Sequence, residues 1–357
     1  MSPDSTSFWL DKRVLVTGHT GFKGAWLSLL LASQKANVFG VGLKPDSHRG
    51  LYANLKNNIH RKEFFVDLRD EFELKNAIRE IDPDIVFHLA AQASVLEGYR
   101  KPFETWTSNL SGTLNLIKEL DSLGRKVTVV ITTTDKVYRN SETGRSFNEN
   151  DPIGGTDPYS LSKVAVEHLV SSYKASVEIG KRKLRIATAR AGNVIGGGDW
   201  LKHRIVPDVL RAVEDKVPVL LRNPNAIRPW QHVLDPIHGY LLLAERLSAD
   251  DGLFYEKAYN FANNKNSGLT VLELVQMIGK RYPLEIQLGL SENAPQREAN
   301  ILLLNSERSL FELGWQPKLD MQDSIDFTLD WYHASLSNSD MFDFTNNQIA
   351  KYETYVR

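Results

Sequence analysis

Two stretches of the chain carry side chains able to move protons. "ITTTDKVY" places Thr132, Thr133, Thr134, Asp135 and Lys136 at the end of an otherwise apolar run. "DPYSLSKVAVEH" sets Tyr159 and Lys163 four residues apart where a helix begins, hence on one face of it. An ammonium beside a phenol favours the phenolate, so this spacing predicts a tyrosine shifted from about 10 toward the range of a general base. Asp135 and Lys136 form an acid and base pair only where their surroundings move both toward neutrality. At least one of Thr132 and Thr133 reads as a plain β-branched strand residue.

A third stretch, "RVLVTGHTGFKGAWL", sets Gly18, Gly21 and Gly24 between a strand pattern and a helix pattern. Glycines permit a tight turn and close approach of backbone to a pyrophosphate, and the helix N-terminus offers unpaired N–H groups to its charge. The acidic residue expected at the end of the second strand is missing; "VGLKPD" has Leu43 and Lys44 there. The choice between NAD and NADP therefore stays open on these residues, with Lys44 either facing a 2′-phosphate or solvated in its loop. Asp67 in "VDLRD" either accepts from an adenine amine or caps the following helix. His88 reads either as a residue beside the cofactor or as a satisfied core histidine. In "RNPNAIRPWQHVLDP", Arg222 and Arg228 suit a diphosphate, while Trp230 and His232 offer faces for a base; Arg204 lies in "WLKHRIVPD".

The elements that must position these residues follow from the apolar pattern. From Arg13 onward, "RVLVT", "NVFGVGL", "KEFFV", "DIVFHLA", "KVTVVIT" and "LRIATAR" alternate with helical segments, including Phe22–Ser33 and a helix from about 159 to 179. Near-continuous apolar runs separated by helices predict a doubly wound α/β fold, a Rossmann-like parallel sheet covered on both faces. After Asn193 the rhythm gives way to turn-rich segments, which predicts a smaller mixed α/β C-terminal lobe. The division expected is a dinucleotide-binding domain over 1–194, completed by about 232–262, and a substrate lobe over 195–231 and 263–357. Both chain ends read as peripheral.

Composition narrows the function classes. The chain of 357 residues has a formal net charge of −1, which provides no global field for a nucleic-acid backbone or an anionic membrane. It has no cysteine, which excludes disulfides, thiolate metal sites and cysteine nucleophiles. The nine histidines show no metal-binding spacing. The N-terminus lacks the regions of a signal peptide and "WLSLLLA" is too short to span a bilayer, so a cytoplasmic location is expected.

Taken in order, "TGHTGFKG", "HLAAQA", "NLSGTLNL" with Asn109, the threonine-rich strand end, "YSLSK" and "RAGNVIGGGDW" with Asn193 resemble the extended short-chain dehydrogenase/reductase family. The resemblance implies that Thr134, Tyr159 and Lys163 oxidise a sugar hydroxyl. Asp135-Lys136 directly after Thr134 stands where nucleotide-sugar 4,6-dehydratases commonly carry Asp-Glu, and with "RNPNAIRPWQHVLDP" it points to the members acting on CDP-glucose. The implied cofactor is NAD, held by Gly18, Thr20, Gly21, Phe22, Lys23, Gly24, Asp67, Leu68, Leu89, Ala90, Ala91 and Thr132 together with Tyr159 and Lys163. The implied substrate contacts are Gln92, Ser94, Asn193, Arg204, Arg222, Arg228 and Arg297. Family members pair through "NLSGTLNLIKEL" and "YSLSKVAVEHLVSSY", implying a homodimer or homotetramer built on a four-helix bundle. The rival readings are a dehydratase for dTDP- or GDP-sugars, a C4 epimerase or reductase without elimination, and a noncatalytic NAD-sensing scaffold.

Overall fold

Seven runs make one parallel sheet, buried through its centre and partly exposed at the β3 edge. They are β1 (Arg13–Thr17), β2 (Asn37–Gly42), β3 (His60–Phe65), β4 (Ile85–His88), β5 (Val127–Thr132), β6 (Leu184–Ala191) and β7 (Ala258–Phe261). The computed structural model describes residues 8–45, 48–55, 59–178, 181–263, 268–289, 299–337 and 339–355. The strand order is β7-β6-β5-β4-β1-β2-β3, and every pairing is parallel. β5 and β6 are buried at every position, as strands covered on both faces must be.

Alternate strand residues feed two cores. Leu15, Val41, Val129 and Ile131 pack on one face with Leu74, Ile78, Leu116 and Val166, from α2 (Glu71–Ile81), α3 (Gly112–Asp121) and α4 (Pro158–Ser176). Val14, Val16, Phe87 and Val130 pack on the other with Leu27, Leu30, Ile237 and Leu241, from α1 (Phe22–Ser33) and α6 (Leu234–Ser248). Helix starts follow the capping residues: Asp70 accepts from the Glu73 amide at 3.0 Å to begin α2, and Asp157 accepts from the Ser160 amide at 3.0 Å to begin α4. Pro158 fills the first turn of α4, where its missing N–H costs nothing.

Past residue 193 the chain builds short pairings: Val194–Ile195 with Gln231–His232, Val219–Leu221 with Ile286–Leu288, and Ile227–Arg228 with Leu269–Thr270. These flank α5 (Ile205–Asp215) and α7 (Val271–Gly279). Two further helices close the chain, α8 (Met321–Leu336) and α9 (Met341–Thr354). The sequence assigned them to the substrate lobe, yet α9 packs against α1, and the Tyr352 hydroxyl donates to Asp235 of α6 at 2.9 Å. Nor are the described ends peripheral. The Trp9 ring is fully buried and its N–H donates to Glu245 at 2.7 Å, and Ile349 and Tyr352 belong to the larger core. Among the described residues no helix is long and apolar enough to cross a membrane, and no group of three or more potential ligands could hold a metal ion.

Candidate active site

The carboxyl ends of the strands open into one cleft of about 2180 Å³, where an open parallel sheet places its ligands. Its lining includes the glycine loop, Asp67, Leu68, Leu89 to Gln92, Ser94, Thr132 to Lys136, Tyr159, Lys163, Asn193, Arg204, Arg222 and Arg228. Residues from widely separated segments of sequence thus face a single space. Arg297 lies outside the described residues.

The glycine loop fits a dinucleotide. Gly18 has φ +71°, and a Cβ there would meet the Ala90 amide nitrogen at 2.8 Å. At Gly24 a Cβ would stand 2.2 Å from the Gly18 carbonyl oxygen, so glycine lets α1 sit directly on the loop. Gly21 precedes α1 with no side-chain cap, leaving first-turn N–H groups for an anion. Thr20 donates to the Leu43 carbonyl at 3.0 Å and so fastens the loop to the end of β2. Asp67 does not cap α2, because Asp70 does. Its carboxylate instead grips Arg69, accepting from Nη2 at 2.6 Å, and that guanidinium holds it below the usual carboxylate range.

The polar end of β5 is a turn. After Thr132 the chain makes one short 3₁₀ turn, Asp135–Val137, with the Thr134 hydroxyl accepting from the Lys136 amide at 3.3 Å. The same hydroxyl donates to Asp135 Oδ1 at 3.0 Å, and Lys136 Nζ lies 4.0 Å from that oxygen. Asp135 is 2 % exposed and its other oxygen has no protein partner. The Asn193 side-chain oxygen is likewise buried without a partner. Two unpaired acceptors beside a cleft suit a ligand rich in hydroxyl donors.

Tyr159 and Lys163 stand on the first two turns of α4, both buried. Lys163 Nζ donates to the Thr132 carbonyl at 3.1 Å, and burial lowers its pKa to about 8. The expected lowering of the phenol is not found in the protein alone: burial raises Tyr159 to about 12, against the opposing pull of the Thr134 hydroxyl and the Arg204 charge. Desolvation of the phenolate outweighs those favourable contacts here. Lys23, on the first turn of α1, is pushed down to about 7, first by burial and then by the charge of Arg204.

Other expected contacts divide by environment. Gln92 donates to the Thr105 hydroxyl at 2.8 Å, and Ser94 caps the helix Val95–Arg100 by accepting from the Glu97 amide at 3.2 Å. Arg204 lies 3.7 Å from buried Asp199. Arg228 is buried, its Nη1 donating to the Ile227 carbonyl at 2.9 Å, whereas Arg222 is exposed. His232 offers no face to a base: it is enclosed by Trp26 and Phe327, and burial lowers it to about 3. Trp230 is 5 % exposed, with its N–H donated to the Leu269 carbonyl at 3.0 Å. His88 is a satisfied core histidine between the Thr17 and Thr113 hydroxyls at 2.7 and 2.8 Å.

Sequence reasoning passed over Glu167 and Arg190. Both are buried and joined to each other, and Glu167 also bonds to Thr133, the residue before Thr134. The signal in the sequence was their charge: two ionic residues in elements otherwise read as buried need a partner, and each is the other's.

Comparison with known proteins gives the family. Residues 15–328 match the family described as GDP-mannose 4,6 dehydratase. The chain is 37% identical over 350 residues to the CDP-glucose 4,6-dehydratase of Salmonella typhimurium, covering 97% of each chain. It is 25% identical to the dTDP-D-glucose 4,6-dehydratase of Bos taurus, over 94% of this chain and 92% of that one. Among solved structures, the UDP-glucose 4-epimerase of Thermus thermophilus in complex with NAD superposes with a TM-score of 0.76 at 27% identity, covering 89% of this chain and 97% of that one. With the family match spanning most of the molecule and a relative this similar along its whole length, the chain belongs to the GDP-mannose 4,6 dehydratase family of extended short-chain dehydrogenases/reductases.

Proposed function

We propose that the chain is an NAD-dependent hydro-lyase that converts CDP-glucose to CDP-4-keto-6-deoxyglucose and water. The observation that carries this reading is the turn after β5, which sets Thr134, Asp135 and Lys136 in one cleft with Tyr159 and Lys163. An epimerase needs the threonine, tyrosine and lysine but no elimination acid. Asp135, buried with one oxygen unpartnered, supports the dehydratase over the epimerase. The identity to the Salmonella typhimurium enzyme over nearly the full length supports the CDP-sugar over dTDP- and GDP-sugars.

In this reading Gly18, Thr20, Gly21, Phe22, Lys23 and Gly24 hold the pyrophosphate of NAD, Asp67 and Leu68 its adenine end, and Leu89, Ala90, Ala91 and Thr132 the floor toward the nicotinamide. NAD, when bound, supplies a cationic ring that accepts the C4 hydride and returns it to C6. Tyr159 takes the C4 hydroxyl proton, aligned by Thr134, while Lys163, anchored on the Thr132 carbonyl, provides positive charge behind the forming phenolate. The C4 ketone acidifies the C5 proton. Lys136 removes that proton, Asp135 protonates the departing C6 oxygen so that it leaves as water, and Lys136 hands a proton back to C5 as C6 receives its hydride. Asn193, Arg204, Arg222, Arg228 and Arg297 hold the nucleotide diphosphate and sugar, with Gln92 and Ser94 at the sugar end.

The assembly is proposed as a homodimer, or a pair of dimers, built on α3 and α4. Leu114 and Leu161 on these helices are exposed, as is Phe103 on the helix Pro102–Trp106 that packs against α4.

The test is incubation with CDP-glucose and NAD in deuterated water, followed by mass spectrometry and NMR of the sugar. Loss of water, deuterium at C5 and no net NADH are expected. A C4 epimer of unchanged mass would overturn the dehydratase reading, and conversion of dTDP- or GDP-glucose instead would overturn the choice of nucleotide.

A further inference from the structure

Glu167 is a buried carboxylate that the chemistry above leaves without a task. It lies one helical turn beyond Lys163 on α4 and is 6 % exposed. Oε1 accepts from the Thr133 hydroxyl at 2.6 Å and from Arg190 Nε at 2.8 Å. Oε2 accepts from the Thr188 hydroxyl at 2.8 Å and from Arg190 Nη2 at 3.0 Å. Arg190, on β6, spends its remaining Nη1 on the Tyr138 hydroxyl at 2.9 Å, and Tyr138 donates to Asn260 of β7 at 2.7 Å. One ion pair thus ties α4 to β6, to the end of β5 and, through Tyr138, to the segment after the catalytic turn.

Burying two charges is costly, and apolar side chains of similar volume in place of a buried ion pair are often as stable or more so. The pair is therefore better explained by what it holds than by stability. Thr133 immediately precedes Thr134 and Asp135, and Lys163 and Glu167 share a face of α4. We propose that Glu167, paired with Arg190, is a positioning residue that fixes the strand end bearing Thr134 and Asp135 against α4 and places a counter-charge behind Lys163. This inference rests on the dehydratase reading of the site.

The two parts of the role are separable. The charged and titratable groups around Lys163 are Tyr159 and Glu167 on its own helix, Arg190 of β6 behind Glu167, His88 at the end of β4 and Lys23 on α1. His88 is held neutral, at about 3, by burial and by the Lys163 charge. Lys23 repels the Lys163 ammonium, so among these groups Glu167 is the anion that favours it. Glu167→Gln removes the anion and leaves the Arg190 cation behind, so Lys163 loses its proton at a lower pH. Glu167→Asp keeps the charge but shortens the tether. Thr133→Val removes the strand-end bond and keeps both charges.

The titration of Lys163 is read without turnover, by competitive acetylation across a pH series with peptide mass spectrometry. Hydride transfer is read as the single-turnover NADH signal after mixing enzyme, NAD and CDP-glucose. Glu167→Gln should move the Lys163 midpoint down by about one pH unit. Glu167→Asp should leave the midpoint in place with slower hydride transfer. Thr133→Val should slow hydride transfer roughly tenfold with no shift. Thermal melting of each variant establishes that it is folded. A folded Glu167→Gln protein with an unmoved midpoint, or a Glu167→Asp shift equal to that of Glu167→Gln, would overturn the proposal. A wild-type protein inert toward CDP-glucose would overturn the functional reading, while the acetylation series would still decide the role of Glu167 toward Lys163.

Discussion

Asp135 and Lys136 share a peptide bond and have opposite surroundings. The aspartate is enclosed with Thr134 on one oxygen, whereas the lysine side chain keeps 29 % of its surface and lies toward the cleft. An enclosed carboxyl suits delivery of a proton to a leaving oxygen; a mobile amine suits reaching a C–H bond. In Asp135→Asn the C4 oxidation should survive while elimination slows by roughly 10²-fold, so NADH should accumulate in rapid-mixing absorbance. If elimination keeps its wild-type rate, Asp135 is not the acid. Lys136→Ala should abolish wash-in of deuterium at C5, and exchange at the normal rate would remove Lys136 from the mechanism. At this scale, residue types at strand ends were legible because the parallel sheet dictates which end faces the ligand. Side-chain commitments were not. Nothing in "RPWQHV" tells that His232 turns into the core against Trp26, and nothing in the Tyr159–Lys163 spacing tells that burial outweighs charge on the phenol.

The junction of β1 and α1 is the element on which cofactor binding depends in the proposed reading. A Cβ on Gly24 would overlap the Gly18 carbonyl and stand 2.8 Å from His19 Cα, both backbone atoms that cannot swing aside. Gly24→Ala must therefore lift α1 from the loop, at a cost of about 1–3 kcal/mol and with displacement of the pyrophosphate cradle. The expected result is NAD affinity at least roughly tenfold weaker by calorimetry, with the helical circular dichroism retained. Wild-type affinity in this variant would mean that the loop does not hold the cofactor. Six of the seven strands were legible as short β-rich runs bounded by turns, and α4 as the helix from about 159 to 179, whereas β7 was not read as a strand. The turn Thr107–Ser111, which is π-helical and buries Asn109, overlaps the start of "NLSGTLNLIKEL", a run read as helical from Asn109. Its signal is tertiary: Asn109 donates to Ser162 at 2.8 Å and accepts from the Gln92 amide at 2.8 Å, joining three segments far apart in sequence. The two-stranded pairings of the second lobe escaped for the same reason, since Val219–Leu221 pairs with Ile286–Leu288, on the far side of α6 and α7 in the chain.

Over the whole molecule, one buried carboxylate links α6 both to the segment before α8 and to α9. Asp235 begins α6. It accepts from the Lys318 amide at 2.8 Å and the Tyr352 hydroxyl at 2.9 Å, and its other oxygen is buried without a partner. Burial dominates those bonds and raises its pKa to about 7. In the unfolded chain the group titrates near about 4. Between these values the native protein binds more protons than the unfolded chain, so this group makes stability fall as pH rises from about 4 to about 7, and the penalty is complete above that. Asp235→Asn keeps an oxygen for Lys318 and Tyr352 and removes the charge, although its amide donors inherit the unpartnered position. The variant should therefore melt at a higher temperature than the parent at pH 8, by an amount corresponding to roughly 2–4 kcal/mol at most, and the difference should vanish toward pH 4. A gain of the same size at both pH values would show that the substitution acts through packing. A loss at pH 8 would show that the carboxylate, charged, is the better partner for the loop and for α9, and that the last two helices are held by ionic hydrogen bonds rather than in spite of a buried charge.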